Sequence, residues 1–294
     1  MPKIAPSPAE PNPDTRSFEP LVLTVDPTGV SALCSLPNEQ LASGDDDGYV
    51  MIWEREKIAA AAAKTGGTGL KLLLRLKGHT GVVRVLCSLI DGRIASGGDD
   101  GQVLIWDLKA AADNAAAVNA GDDTIKPMLV LLGHNDGAER PHVCSVFALC
   151  SLPGGRLATG GIDEFVHIWD IQADYETKVR PLYPLLTLRG HTFAVFALCL
   201  LHDRRLASSG YEGFVLIWDF KAATDKAGAV NAGDDTIKPL LILEGHKECG
   251  FALCSLPDGR LASGSIDEFV LIWDLQAAAN YIFLIFIFYK RPLT

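Results

Sequence analysis

"LASGSIDEFVLIWD", residues 261–274, joins a run of small residues to a turn containing Asp and a short apolar strand that ends on Trp-Asp. The chain writes this sentence five times. Residues 41–54 read "LASGDDDGYVMIWE", 94–107 "IASGGDDGQVLIWD", 157–170 "LATGGIDEFVHIWD" and 206–219 "LASSGYEGFVLIWD". The tryptophans Trp53, Trp106, Trp169, Trp218 and Trp273 follow one another at intervals of roughly fifty to sixty residues. Periods of that size mark arrays of supersecondary units rather than one irregular core.

Outward from this stretch each unit has the same grammar. An apolar run ends on Gly-His ("LLLRLKGH", "PMLVLLGH", "PLLTLRGH", "PLLILEGH"). A segment such as "FALCSL" follows, then a turn (Pro-Asp-Gly-Arg in the last unit), then the quoted sentence. That makes four short segments of period-two or β-branched character, separated by Gly, Asp and Pro turn signals. No helix is needed. Four-stranded units repeated radially predict an all-β fold, a β-propeller with five recognisable blades.

With five in-register copies of the "LASG"-to-Trp sentence, four of them preceded by Gly-His and ending on Trp-Asp, the chain resembles the WD40-repeat family over roughly residues 21–275. The resemblance implies a hydrogen-bonded tetrad of His, Ser or Thr, Asp and Trp inside each blade. Carried over, these are His79, Ser96, Asp100 and Trp106 in blade two, and His134, Thr159, Asp163 and Trp169 in blade three. Blade five has His246, Ser263, Asp267 and Trp273. Blade four has His191, Ser208 and Trp218 but Glu212 for Asp. Blade one has Ser43, Asp47 and Trp53 with Asp26 in place of His, so these two tetrads are expected to be weaker or open. An indole N–H inside a blade needs an acceptor, and a hydroxyl that accepts it can donate onward to an imidazole.

The ends and inserts are read separately. Residues 1–19 carry five of the six prolines among the first twenty residues and no apolar run, which predicts a disordered leader. Residues 20–275 form the propeller, in which "PLVLTV" (20–25) fits the strand that such rings borrow to complete their last blade. Residues 276–294 are an apolar tail whose "YIFLIFIFY" (281–289) offers a competing fourth strand. It is far shorter than the ~20 residues a membrane helix requires, so no transmembrane segment is expected. "NAGDDTIKP" occurs at 119–127 and again at 231–239, inside Ala-rich inserts that follow Trp-Asp. Blades two and three therefore look like the source or copy of four and five. The inserts, on the bottom face that the family resemblance implies, are read as short helices or flexible spacers, with spacers preferred.

Function has to be sought where the repeats differ. The net charge of −10, from 26 basic and 36 acidic residues, is a poor match for nucleic acid, whose binding rests on phosphate neutralisation. Of the seven cysteines, Cys34, Cys87, Cys150, Cys199 and Cys254 recur at one point of each repeat. Equivalent points on successive blades lie too far apart for disulfides, which suggests a reducing cytoplasmic or nuclear setting. No catalytic, metal or cofactor site is read: His79, Ser96 and Asp100 match a hydrolase triad only in composition, and the His and Cys residues lack close zinc-type pairs. The family resemblance implies protein binding over the top face, through three positions per blade. They are Gly29, Ser31 and Asp46; Val82, Arg84 and Asp99; Ser145, Phe147 and Ile162; Ala194, Phe196 and Tyr211; and Cys249, Phe251 and Ile266. The phenylalanines either line a strand beside the channel or form a binding surface. On the second reading, the partner is a protein or short peptide with apolar and basic side chains, and the chain is a scaffold or adaptor. The alternative is a substrate-recognition or ubiquitin-linked component of a protein-degradation complex.

Overall fold

The computed structural model describes residues 29–55, 70–117, 125–134, 144–172, 183–220, 237–276 and 284–287. Five four-stranded antiparallel sheets follow one another along the chain. Blade one is β1 Val30–Ser35, β2 Gln40–Asp45, β3 Tyr49–Arg55 and β4 Leu70–Lys77. Blade two is β5 Val83–Ser88, β6 Ile94–Gly98, β7 Val103–Trp106 and β8 Leu129–Leu131. Blade three is β9 Val146–Leu152, β10 Arg156–Gly161, β11 Phe165–Asp170 and β12 Leu186–Arg189. Blade four is β13 Val195–Leu200, β14 Leu206–Gly210, β15 Val215–Trp218 and β16 Leu241–Leu243. Blade five is β17 Gly250–Ser255, β18 Leu261–Ser265, β19 Val270–Trp273 and β20 Leu284–Ile287. The expected five-bladed, all-β architecture is the observed one.

The second and third strands of blades two and four are buried at every position, because neighbouring blades cover both of their faces. This explains why "LASG" is small and "VLIW" is continuously apolar rather than alternating. Each junction between consecutive blades encloses one apolar cluster. Its repeated contact is a valine of one inner strand set against a glycine of the preceding blade: Val83 on Gly44, Val146 on Gly97, Val195 on Gly160. A Cβ at those glycines would fall 2.5, 2.7 and 2.7 Å from a valine methyl, so only glycine allows that approach.

The inner strands pack in chain order, β1 on β5, β5 on β9, β9 on β13 and β13 on β17, with no comparable packing of β17 on β1. The described blades therefore form an open arc.

Two expectations are settled at the edges of the arc. The fourth strand of blade five is β20, from the apolar tail, pairing Val270 with Ile287 and Trp273 with Leu284. "PLVLTV" lies outside the described residues. The first Ala-rich insert is not a plain spacer: it opens with a helix, α1 Leu108–Ala117. Asp107 caps α1 by accepting the N–H groups of Lys109 and Ala110 (3.0 and 3.1 Å), and Ala111 is buried against the first junction. Alanine favours helix once a cap and a packing face exist. After each insert one isoleucine bridges back to the preceding blade, Ile125 to Leu76 and Ile237 to Leu188, so the duplicated isoleucine straps neighbouring blades together.

Candidate functional site

Inside the blades the tetrads close as relays. In blade two the Trp106 indole N–H donates to Ser96 Oγ (2.8 Å), whose hydroxyl donates to His79 Nε2 (2.7 Å). His79 Nδ1–H then donates to Asp100 (2.9 Å), which also accepts the backbone N–H groups of Thr80 and Gln102. A carboxylate only accepts, which fixes the proton on Nδ1 and orders the whole chain. Blade five repeats it with Trp273, Ser263, His246 and Asp267, the last accepting from Lys247 and Phe269.

Blade four, expected to be weaker or open, is closed. Glu212 hydrogen-bonds His191 Nδ1, and Ser208 links His191 to Trp218. The longer side chain reaches the imidazole but leaves Glu212 Oε2 buried without a partner. In blade one the buried carboxylate is Asp45 rather than Asp47, which is exposed. Asp45 Oδ1 accepts the N–H groups of Asp47 and Tyr49 (3.0 and 2.7 Å), while its Oδ2 has no partner. The other three "LASG" copies with Gly at this point leave the later Asp or Glu free to turn inward; a carboxylate two residues earlier occupies the space instead. Asp26 lies outside the described residues. Trp53 still donates to Ser43 (2.8 Å).

Blade three holds a larger network. Beyond Trp169, Thr159, His134 and Asp163, a second imidazole, His167, donates from Nε2 to Asp163 Oδ2 (3.0 Å) and meets Thr187 Oγ1 at Nδ1 (3.0 Å). His134, Asp163 and His167 lie within 4.8 Å of one another, the one such trio of ligand-type side chains among the described residues. Every atom that faces the trio is spent in a hydrogen bond. Burial by itself would push the Asp163 carboxyl up, but the two histidine hydrogen bonds outweigh it and hold it at about 2. Burial pushes His167 below the usual imidazole range, against the pull of Asp163. Sequence reading missed His167 because it occupies a strand position filled by Leu104, Leu216 and Leu271 in sister blades.

The three top-face positions of blades two to five are adjacent in space. The N–H of Asp99 bonds Val82 O (2.9 Å), Ile162 bonds Ser145 O (3.0 Å), Tyr211 bonds Ala194 O (3.0 Å) and Ile266 bonds Cys249 O (3.3 Å). In blade one Ser31 donates to Asp46. The middle position falls at a register shift in every inner strand, at Ser31, Arg84, Phe147, Phe196 and Phe251. A bulge turns a side chain out of the pleat, which sets these five residues outside the apolar clusters of the junctions. Phe147 stacks on Phe196 (5.3 Å between centroids), and Phe196 on Phe251 (4.9 Å). Ile162, Tyr211, Phe251 and Ile266 are exposed, and so is Phe193, which packs on Tyr211 (5.6 Å) and went unnoticed in the sequence.

The acidic half is smaller than expected. Asp99 is clamped by Arg84 through Nε–Oδ1 (2.8 Å) and Nη2–Oδ2 (2.6 Å), and that pairing holds its carboxyl below the usual range. Asp46 accepts from Ser31 and lies within electrostatic reach of the same Arg84, whose hydrogen bonds go to Asp99.

The model of the family described as "WD domain, G-beta repeat" matches residues 20–54, 70–107, 125–170, 182–219 and 237–274, more than half of the chain. This is a WD40-repeat protein. Among WD40 chains similar to it is echinoderm microtubule-associated protein-like 4 of Xenopus laevis, 32% identical over 28% of this chain and 9% of that one. The ribosome biogenesis protein ytm1 of Neosartorya fischeri is 25% identical over 48% of this chain and 25% of its own length. The tRNA (34-2'-O)-methyltransferase regulator WDR6 of Drosophila melanogaster is 26% identical over 48% and 13%. The matched stretch is thus a minor part of each of these relatives. The crystal structure of the computationally designed Ika8 protein shares the fold, with a TM-score of 0.53, 23% identity, and cover of 84% of this chain and 58% of that one.

Proposed function

We propose that this WD40 chain is a non-catalytic adaptor that holds a short peptide segment of another protein on its top face. The observation that carries the reading is the continuous stack Phe147–Phe196–Phe251, set on bulges and bordered by exposed Ile162, Tyr211, Phe193 and Ile266. Aromatic side chains presented on a rigid sheet are efficient anchors, since little entropy is lost when they engage. The tetrads of blades two, three and five commit their buried side-chain hydrogen bonds to holding the blade together. Asp46 supplies a preference for Lys or Arg at one end of the ligand, and an overall charge of −10 favours basic partners. Five inner-strand cysteines kept as free thiols suit a reducing compartment, cytoplasm or nucleus.

A peptide array on the wild type, Phe196→Ala and Asp46→Asn tests this. Phe196→Ala weakens all ligands by about thirtyfold, as loss of a central aromatic anchor does. Asp46→Asn relaxes only the preference for basic residues, and that preference fades with salt. Equal selection by all three proteins would place the binding surface elsewhere.

A further inference from the structure

The open arc has two end faces, and each carries one half of the junction that joins its blades internally. On its leading side every blade offers a valine of the third strand: Val50, Val103, Val166 and Val215 are fully buried by the following blade. The fifth counterpart, Val270, is 46% exposed. On its trailing side a blade offers the inner-strand valine that fills the glycine socket: Val83, Val146 and Val195 are fully buried. The counterpart in blade one, Val30, is 42% exposed, and Leu33 beside it is 63% exposed.

The sockets tell the same story. Gly44, Gly97 and Gly160 are each closed by a valine of the next blade, whereas at Gly264 the nearest group is Ala252 of the same blade, 3.7 Å from a built Cβ. The cysteine row is a third, separate marker. The sulfurs of Cys34, Cys87, Cys150 and Cys199 meet the backbone of Ser88, Ser151, Leu200 and Ser255 in the following blade. Cys254 is exposed. Its missing counterpart would be Ser35 of a first blade.

We propose that these faces dock on each other between copies of this chain, head to tail, so that Val30 of one copy fills the Gly264 socket of the next. The contact repeats, between molecules, a valine-in-glycine junction the chain already builds three times, the fourth junction setting Gly250 against Ser209 instead. A second copy is the occupant because the internal junctions have no slack. Valine methyls sit at the limit of approach to three glycine sockets and Ser209 sits close to Gly250 at the fourth junction, and such close packing resists the change of angle that would bring blade five onto blade one. Being heterologous, the contact leaves one complementary face free at each end and permits continued growth unless the geometry closes a ring. It involves none of the top-face residues and stands apart from the peptide-binding reading.

The test is sedimentation of the full chain over a concentration series, with Val30→Arg and Gly264→Leu. The wild type gains mass with concentration, and its Cys254 is alkylated more slowly as it does so. Each variant weakens association by about thirtyfold or more. A Cβ at Gly264 meets only Ala252, at ordinary contact distance, and a wild-type melting temperature for Gly264→Leu separates its effect from misfolding. An equimolar mixture restores a one-to-one pair and stops there, because Val30→Arg retains a working socket and Gly264→Leu a working knob. Phe196→Ala associates like the wild type. A wild type that stays monomeric overturns the proposal: a protected Cys254 would then mean that the arc closes on itself, a reactive one that the ends stay open. Association that ignores both variants overturns it equally.

Discussion

His167 shows how one residue can change the chemistry of a repeat without changing its shape. Its sister positions are leucines, so the strand accepts it. Thr187 and Asp163 then satisfy both ring nitrogens, which makes burial of an imidazole tolerable. The cost surfaces on acidification. Because its folded pKa lies below the ordinary 6.5, the unfolded chain takes up a proton that the native chain refuses, and stability falls as pH drops below about 6.5. Asp163 acts in the same direction but lower: held at about 2, it contributes stability that is lost as pH falls from about 4 toward that value. His167→Leu should therefore flatten the fall in melting temperature between pH 6.5 and 5. It should also cost about 1–3 kcal/mol at neutral pH, since Asp163 Oδ2 is left buried without a donor. Thermal scans across that range check both effects, and an unchanged slope would assign the titration to another group.

At the scale of the element, the fourth strand decides whether a blade is complete. β20 pairs residue by residue with β19, although its sequence has no likeness to the other outer strands. Any apolar strand can serve there, because the ladder is made by the backbone and the outer edge asks for no particular side chain. Removing the residues after Gln276 leaves the outer edge of β19 without its ladder. The loss should reach at least about 2 kcal/mol, several degrees of melting temperature, with binding of any top-face ligand retained in the folded fraction. Unaltered melting of the truncated chain would mean that another segment replaces β20.

For the whole molecule, the open arc grades stability along the chain. Blades two to four are covered on both sides, whereas β1 and β17 each have one uncovered face. Amide exchange in dilute solution should thus be slowest in β9 and β13 and faster in β1 and β17, despite the well-formed tetrad of blade five. The tetrads alone would rank blade five with blade two, the arc ranks it with blade one. Uniform protection around the chain would argue that the ends are covered.

The repeat alone determined the blades, their order, the tetrads of blades two, three and five, and the register of the top-face residues. Period-two strands, turn residues and the geometry of one hydrogen-bonded relay are local properties, legible wherever the motif is written. Tertiary structure decided the rest. Glu212 closes its tetrad because the neighbouring imidazole is within reach of a longer arm, and Asp45 displaces Asp47 because buried space admits one carboxylate. Arg84 removes Asp99 from the free surface by a contact made fifteen residues away. α1 forms where a cap and a blade face meet an Ala-rich segment. Whether five blades make a ring or an arc depends on the angle at each junction. That angle is a sum of side-chain contacts between blades, which no single repeat contains.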